Sequence, residues 1–237
     1  MNLMNIALIG YGSMGKLIET LAAEKKHQIT AIVTGEHSGL TPEKLTEKLI
    51  GADAAIDFTT ANAVRRNVEA CVAAGVPLVE GTTGWNGESG EIGQIVSKGG
   101  GTMVFGSNFS IGVNLFYKVA EYAAELFAGF PEYEAFIEEQ HHSRKRDAPS
   151  GTALKLKEVI SRHLTIGDIA ATRAGNIPGT HRLGFDGKAD QILLEHAARS
   201  REGFAVGAIM AAEWVVGKNG VFEFTEVIDE ICQNRLR

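Results

Sequence analysis

Residues Ile6-Ala7-Leu8-Ile9 run directly into Gly10-Tyr11-Gly12-Ser13-Met14-Gly15, and this stretch decides the fold of the first part of the chain. The four apolar residues predict a short buried strand, and the residues from Lys16 to about Lys26 have a helical pattern. A G-x-G-x-x-G run between a strand and a helix is typical of a dinucleotide site. Its first glycine permits the tight turn, its second lets the main chain approach a pyrophosphate, and its third lets the helix pack on the strand.

The same stretch also has the spacing of a P-loop, because Gly15-Lys16 follows Gly10 at the required distance. Leu17 then stands where a Ser or Thr would hold magnesium, so the sequence disfavours a nucleotide triphosphatase. Lys16 could contact a phosphate, although a solvated helix lysine is the more ordinary interpretation.

Four more apolar runs, at residues 29–33, 54–58, 76–79 and 103–105, alternate with helical patterns. This alternation predicts an α/β fold of the Rossmann type, with a parallel sheet and right-handed crossovers. Ligands of such sheets bind beyond the carboxyl ends of the strands, where three loops carry small and hydroxyl side chains suited to a ribose or an amide. The predicted cofactor contacts are Gly10, Tyr11, Gly12, Ser13, Met14, Gly15, Lys16, Gly81, Thr82, Thr83, Gly106, Ser107, Asn108 and Phe109.

From Ser110 onward the strands are grouped between long helices. The predicted elements are a helix over 112–127, a strand over 133–140 with acidic residues on its outer side, strands near 169–174, 180–185 and 192–197, and a helix over 204–216. Grouped strands predict an α+β domain with an open mixed sheet, and we expect the last helix to return to the first domain. We therefore predict a dinucleotide-binding domain of residues 1–109 and 208–237, and a substrate-binding and oligomerisation domain of residues 110–207.

At 237 residues, with 44% hydrophobic and 22% charged residues, the chain has the composition of a soluble globular protein. Its two cysteines, Cys71 and Cys232, have neither disulfide nor metal-ligand spacing, and Cys71 lies in an apolar helical pattern typical of a core. No basic leader precedes the first apolar run, which is too short for a signal peptide or a membrane span. We therefore expect a cytoplasmic protein with no membrane partner.

The segment His141-His142-Ser143-Arg144-Lys145-Arg146-Asp147-Ala148-Pro149-Ser150-Gly151-Thr152-Ala153 combines two histidines, three basic residues and a helix start. Ser150 is the predicted N-cap, which leaves the amides of Gly151 and Thr152 to point at an anion. On a chain of net charge −6, a local basic cluster favours a small anionic ligand over nucleic acid. The alternative interpretation is a solvated loop ahead of a capped helix.

Adjacent histidines could also suggest a metal site. The side chains of His141 and His142 point to opposite faces of an extended chain, so both are poorly placed to ligate one ion. No third ligand stands at a useful spacing in the sequence, and we predict no metal.

The segment His141–Ala153, together with GYGSMG at 10–15, GTTG at 81–84 and SNFSIGVN at 107–114, closely resembles the 4-hydroxy-tetrahydrodipicolinate (dihydrodipicolinate) reductase family. Further matches occur at Arg173-Ala174-Gly175, Ile177, Gly179 and His181, and at residues 204–208. The resemblance implies that NADH or NADPH delivers a hydride to a cyclic dicarboxylate in the diaminopimelate route to lysine. It also implies a homotetramer assembled through the sheet of the substrate domain.

By position, the resemblance implies that His141 is a proton donor or acceptor and that Lys145 is a proton donor. The substrate contacts that it implies are His142, Lys145, Ser150, Gly151 and Thr152. A helix start and a lysine suit a carboxylate, and an imidazole suits proton transfer near neutral pH.

The end of the second strand, Ala31-Ile32-Val33-Thr34-Gly35-Glu36, departs from the family, which commonly has an acidic residue there, often followed by Arg. Glu36 could reach a ribose 2′-hydroxyl and so favour NADH, and the missing arginine weakens an NADPH-only assignment. Two other interpretations stay open. A dehydrogenase acting on an amino acid need not have the dicarboxylate cradle at residues 150–152, and a non-catalytic dinucleotide sensor would have little use for His141 and Lys145.

Overall fold

The computed structural model describes residues 3–235 of the chain. The chain divides into two compact units, the first made of Met1–Ser110 and Phe204–Arg237 and the second of Ile111–Gly203. Each unit has its own apolar core.

Within residues 3–235 the structure has ten strands and eight α-helices, which we number in chain order. The strands are β1 (Asn5–Ile9), β2 (Gln28–Val33), β3 (Ala54–Asp57), β4 (Leu78–Glu80), β5 (Thr102–Phe105), β6 (Glu134–His141), β7 (Ala170–Arg173), β8 (Thr180–Asp186), β9 (Gln191–Ala197) and β10 (Gly220–Glu223). The helices are α1 (Ser13–Glu24), α2 (Pro42–Leu49), α3 (Ala61–Ala74), α4 (Ser89–Lys98), α5 (Ile111–Phe127), α6 (Gly151–Ile160), α7 (Glu202–Val215) and α8 (Phe224–Arg235).

The first unit is built on a six-stranded sheet in the order β10-β5-β4-β3-β1-β2. All five strand pairs are parallel, which confirms the predicted α/β class. Every residue of β3 and β4 is buried, as expected of central parallel strands covered on both faces. Cys71 is packed in the core between helix and sheet residues, which confirms its predicted role there.

Strand β10 was not predicted from the sequence. It pairs with β5 at the edge of the sheet, and all four of its residues are only half-buried. A four-residue run with two apolar side chains, Val221 and Phe222, is too short to show a period.

The second unit has a four-stranded sheet in the order β7-β6-β8-β9. Strand β6 is parallel to β7 and antiparallel to β8, and β8 is antiparallel to β9. This confirms the predicted open mixed sheet. The core of the unit joins β6 and β8 to α5 and α6 through residues that include Phe116, Leu156, Leu183 and Phe185.

Over residues 3–235, no helix combines the length and the apolar character that crossing a bilayer requires.

Helix α7 passes very close to the loop after β5, at a glycine. A Cβ atom on Gly207 would lie 1.8 Å from the carbonyl oxygen of Phe109, which is a main-chain clash. We expect Gly207→Ala to lower the free energy of unfolding by about 2 kcal/mol or more, because the helix must shift.

The matched control is Gly93→Ala in helix α4, where a Cβ would meet no atom within 4 Å. This change should raise stability by up to about 1 kcal/mol, because glycine is a poor helix former. Thermal denaturation of both variants measures the difference, and equal effects would contradict the packing argument.

Candidate active site

The G-x-G-x-x-G loop of the first unit has the conformation that its glycines predict. Gly10 adopts φ +91°, and a Cβ there would lie 2.4 Å from the carbonyl oxygen of Phe58. A Cβ on Gly15 would lie 2.3 Å from the carbonyl oxygen of Gly10. A Cβ on Gly12, in contrast, would meet nothing within 4 Å, so open space lies beside the middle glycine.

Helix α1 begins directly after Gly12, and no side-chain hydrogen bond caps its start. First-turn amides have no acceptor within their own helix and carry the positive end of the helix dipole. Lys16 lies in this turn, with its ammonium 5.8 Å from the centroid of the Tyr11 ring. An uncapped helix start beside open space fits a dinucleotide pyrophosphate.

The two other predicted cofactor loops are fixed to the same edge of the sheet. The amide of Gly81 donates to the carbonyl of Asp57 at 2.9 Å, and the amide of Gly106 donates to that of Glu80 at 3.3 Å. The Thr82 hydroxyl accepts the Thr59 amide at 3.0 Å, so the loops after β3 and β4 are joined directly.

The predicted contacts in these loops differ in exposure. Thr83 and Ser107 are exposed, and Asn108 accepts the Ser110 amide at 2.8 Å. The side chains of Thr82 and Phe109 are buried, and the Phe109 ring lies 4.6 Å from that of Phe224. These two residues therefore offer a ligand little more than their main chain.

In the second unit, burial alternates along β6. Ile137, Glu139 and His141 are buried on one face of the strand, and Glu138 is half-exposed on the other. The prediction that the acidic residues of this strand lie on its outer side is therefore wrong for Glu139, which is 1% exposed. Two-residue alternation places this carboxylate on the same face as His141.

The Glu139 carboxylate is the hub of this face. Its Oε1 accepts the Ser150 amide at 2.9 Å and the Arg173 guanidinium at 2.6 Å, and its Oε2 accepts the Ser150 hydroxyl. Burial by itself would raise the pKa of Glu139, but the hydrogen bonds from Ser150 and the Arg173 charge outweigh it and hold the pKa below its ordinary value. Glu139 is therefore an anion in the folded chain.

Ser150 caps helix α6, as predicted, by accepting the Ala153 amide at 3.2 Å. Its oxygen also lies 3.2 Å from His181 Nε2, and the residue is 2% exposed. The hydroxyl and the amide of Ser150 are thus used within the protein. Gly151 is exposed, and a Cβ there would meet no atom within 4 Å, so open space lies at the helix start.

His141 and His181 lie side by side over this hub, with ring centroids 5.1 Å apart. His141 Nδ1 is 3.5 Å from Glu139 Oε2. Burial is the main cause that lowers the pKa of His141, and the nearby Glu139 charge only partly opposes it. Burial, followed by the His141 charge, lowers the pKa of His181 to about 4. Both imidazoles are therefore neutral near pH 7.

Lys145 lies on the loop between β6 and α6. Its ammonium pairs with Asp147 at 2.9 Å, and its amide donates to the carbonyl of His142 at 3.1 Å. The hydrogen bond from Lys145 is the main cause that lowers the pKa of Asp147. Arg173 also donates to the Asp147 carbonyl, at 2.5 Å, so Arg173 ties this loop to Glu139.

Three of these groups also have the proximity of metal ligands. One ligand atom from each of Glu139, His141 and His181 lies within 4.8 Å of the others. The sequence did not indicate two of these possible ligands. His181 lies on a different strand, β8, and Glu139 was expected on the outer side of β6. The Arg173 guanidinium and the two groups of Ser150 already compensate the carboxylate, and they disfavour a second cation there.

Sequence reasoning assigned no role to Glu139, Arg173 or His181. Arg173 and His181 belonged to stretches that matched the family, and the period of β6 could have placed Glu139 beside His141. Their meeting depends on the pairing of β6 with both β7 and β8, which no local pattern encodes.

A parallel sheet with a glycine loop and a second unit with a mixed sheet are typical of two-domain, dinucleotide-dependent oxidoreductases. The sequence profile of "Dihydrodipicolinate reductase, N-terminus" matches residues 4–109, and that of "Dihydrodipicolinate reductase, C-terminus" matches residues 112–228. The chain belongs to the dihydrodipicolinate reductase family.

Individual members of this family are similar to the chain over most of its length. The 4-hydroxy-tetrahydrodipicolinate reductase of Christiangramia forsetii is 36% identical over 244 residues, which cover 98% of this chain and 100% of the relative. The enzyme of the same name from Archaeoglobus fulgidus is 38% identical over 204 residues, which cover 76% and 77%. Among solved structures, a dipicolinate-bound dihydrodipicolinate reductase from Paenisporosarcina sp. TG-14 shares the fold, with a TM-score of 0.72, 22% identity and coverage of 94% and 98%.

The role of the hub can be tested with two neighbouring residues of β6. We expect Glu139→Gln to destabilise the chain by about 2–3 kcal/mol, because it leaves the half-buried Arg173 charge uncompensated. Glu138→Gln removes a half-exposed carboxylate on the other face of the strand and should cost less than about 1 kcal/mol. Urea denaturation measures both, and similar losses would show that Glu139 is no more than a surface charge.

Stability should also depend on pH through His181. Its pKa is lowered from 6.5 to about 4 in the folded chain, so between these values the unfolded chain binds the extra proton. Neutral His181 therefore makes its full contribution to the free energy of unfolding at pH values above the pKa of the unfolded chain. As the pH falls through the pKa of the folded chain, this contribution, roughly 2–3 kcal/mol, is lost.

The matching variant is His181→Gln, whose amide can still donate to Ser150. Its unfolding free energy should fall less between pH 7 and pH 4 than that of the unaltered chain. His163→Gln, on a partly exposed histidine of the same unit, should keep the original slope. An unchanged slope in the His181 variant would contradict the assignment.

Proposed function

We propose that the chain reduces dihydrodipicolinate, which forms from 4-hydroxy-tetrahydrodipicolinate by loss of water, to tetrahydrodipicolinate with a nicotinamide dinucleotide, in the diaminopimelate route to lysine. The observation that carries the proposal is the grouping of His141, Lys145 and the start of helix α6 around the buried Glu139 carboxylate and its partner Arg173. Relatives named 4-hydroxy-tetrahydrodipicolinate reductase support it over nearly the full length of the chain.

The first unit is the proposed dinucleotide-binding domain. The residues that would hold the cofactor are those of the glycine loop with Lys16, and the main chain and exposed side chains at 81–83 and 106–109. A bound nicotinamide dinucleotide would supply the hydride. The protein's own contribution is the open space at Gly12, the uncapped start of α1 and the rigid attachment of the loops to the sheet.

The cofactor preference depends on the loop after β2. Glu36 is exposed in a short 3₁₀ turn, Gly35–His37, where an acidic side chain suits a ribose 2′-hydroxyl. An arginine reaches the same loop from helix α3, because Arg66 donates to the carbonyl of Ser38 at 2.6 Å. With both charges at this loop, we propose that the chain accepts NADH and NADPH.

The second unit is the proposed substrate-binding and oligomerisation domain. In this proposal a carboxylate binds to the Lys145 ammonium and to the amides of Gly151 and Thr152, and His142 is a further substrate contact. Ser150 belongs to the site as the residue that orients the helix start, since its hydroxyl and amide are bound to other protein groups. The half-exposed Leu193 on edge strand β9 supports assembly into a homotetramer through this sheet, and we expect the enzyme in the cytoplasm.

The reduction needs one proton to balance the added hydride. Lys145 is the proposed donor, because it is an ammonium paired with Asp147 and partly exposed. The lowered pKa of His141 leaves its imidazole neutral near pH 7, so it can accept a proton or hold the substrate by a hydrogen bond. Gly179 packs against the ring, since a Cβ there would lie 3.3 Å from His141 Nε2.

The test is oxidation of NADH and NADPH, in parallel, with substrate made fresh from pyruvate and aspartate semialdehyde. Loss of the reduced-nicotinamide absorbance that depends on substrate supports the reaction, and the two kcat/KM values give the preference. A folded protein that binds cofactor but turns over neither would reject the proposal. It would favour an amino-acid dehydrogenase or a dinucleotide sensor.

Lys145→Ala should lower kcat/KM by about 100-fold or more, because it removes both a charge on the substrate and the proton source. Cofactor affinity should change little. The control is Lys155→Ala on helix α6, a lysine of similar exposure that pairs with Glu158 and should keep normal turnover. Near-normal turnover in the Lys145 variant would remove it from the reaction.

A further inference from the structure

Two buried carboxyl groups stand side by side in the first unit, outside the site described above. Asp57 is the last residue of β3 and Glu80 the last of β4, and the two are direct partners in the parallel register. Both are 0% exposed. Neighbouring parallel strands lie only about 4.8 Å apart, so two ionised carboxylates here would repel strongly without water to screen them.

Each carboxyl has one oxygen bound to a protein donor. Glu80 Oε1 accepts the Thr82 amide at 2.7 Å, and Asp57 Oδ2 accepts the Asn67 side-chain amide at 2.6 Å. Across residues 3–235, no protein donor serves the other two oxygens, Asp57 Oδ1 and Glu80 Oε2. The two carboxyl groups are register partners and both lack a donor for one oxygen. Since ionised carboxylates only accept hydrogen bonds, a proton shared by the pair would supply the missing donor.

The pair belongs to a polar network that reaches three loops at the carboxyl edge of the sheet. Asn67 Oδ1 accepts Arg66 Nη2 at 2.8 Å, and Arg66 Nη1 donates to the carbonyls of His37 and Ser38 at 3.2 and 2.6 Å. Asn67 also donates to the Thr59 hydroxyl at 3.3 Å. The network therefore spans the loops after β2, β3 and β4.

We propose that Asp57 and Glu80 share one proton and act together as positioning residues for the dinucleotide-binding loops. This inference rests on the proposed function of the first unit as the cofactor domain. With one proton on the pair, a single negative charge faces the Arg66 cation. Loss of that proton adds a second buried charge, and the two carboxylates then repel each other. This repulsion weakens the hydrogen bond between Glu80 and the Thr82 amide, which positions the loop after β4.

The charged and titratable neighbours agree with this assignment. Burial, followed by the Asp57 charge, raises the pKa of Glu80 well above its ordinary value, and burial raises that of Asp57. Arg66 is the cation that acts on Asp57. Cys71 also faces the pair, and burial, followed by these two carboxyls, raises the pKa of its thiol, so the thiol is neutral.

The sign of the pH effect follows from the raised pKa values. The folded chain holds the proton more tightly than the unfolded chain, so the loops are well positioned at low pH and lose their order as pH rises through the folded pKa. Above that point, cofactor affinity should fall by up to about tenfold per pH unit, because binding requires the proton.

The experiment measures the dissociation constants of NADH and NADPH from pH 6 to pH 10 by fluorescence. Glu80→Gln keeps an acceptor for the Thr82 amide and gives Asp57 a donor that does not ionise. It should bind with near-normal affinity at pH 7 and lack the loss at high pH. Glu80→Ala should bind weakly at every pH.

Glu24→Gln, which removes an exposed carboxylate at the end of α1, is the matched control and should keep the original pH profile. An identical high-pH loss in Glu80→Gln and in the unaltered chain would overturn the proposal. A carboxyl that is merely structural would change the melting temperature in Glu80→Gln without changing the pH profile of affinity.

A second measurement does not depend on the variants. Infrared difference spectra of the unaltered chain should show the C=O stretch of a protonated carboxyl at pH 7, and its absence would overturn the shared proton. Asp57→Asn should remove or shift this band. Because the band requires neither substrate nor cofactor, failure of the reductase assay would leave this result standing, and the two failures can be told apart.

Discussion

A buried carboxylate at the end of a strand is the constraint on which the second unit depends. Glu139 lies on the core side of β6, where an unpaired charge would be very costly. Hydrogen bonds to this carboxylate come from Arg173 on β7 and from the amide and hydroxyl of Ser150, and they compensate its charge. In doing so they fix the start of helix α6, the edge of the sheet and the loop that carries Lys145, so the site's geometry follows from one electrostatic requirement.

The first unit meets the same constraint differently. Asp57 and Glu80 also end buried strands beneath ligand-facing loops. In the part of the chain that the structure describes, however, the Arg66 cation binds Asn67, which donates to Asp57, and forms no direct ion pair with either carboxyl group. A proton can take the place of the missing cation, because a carboxylic acid is neutral and still donates a hydrogen bond. The chain thus stabilises buried Glu139 with an arginine, and the Asp57–Glu80 pair with a shared proton.

Local patterns predicted a large part of this fold and less of its site. The strand–glycine loop–helix unit was predictable because a buried apolar run and glycines at sterically tight positions, Gly10 and Gly15, are local features of the sequence. The N-cap at Ser150 was predictable for the same reason. Glu139 was misplaced, since a short polar strand end gives little evidence of which face is buried. The roles of Arg173 and His181 depend on strand pairing between residues more than thirty positions apart, which no window of sequence contains.

The first unit is discontinuous in the chain, because β10 returns to pair with β5 only after the whole second unit. During synthesis, β5 therefore remains an open edge until residues near Gly220 have left the ribosome. The inserted unit is continuous in sequence and all four strands of its sheet lie within it, so it can form without waiting for the rest. The slow step of folding should be the late addition of this edge strand, and the exposed β5 edge is where the nascent chain is most prone to pair with a second copy.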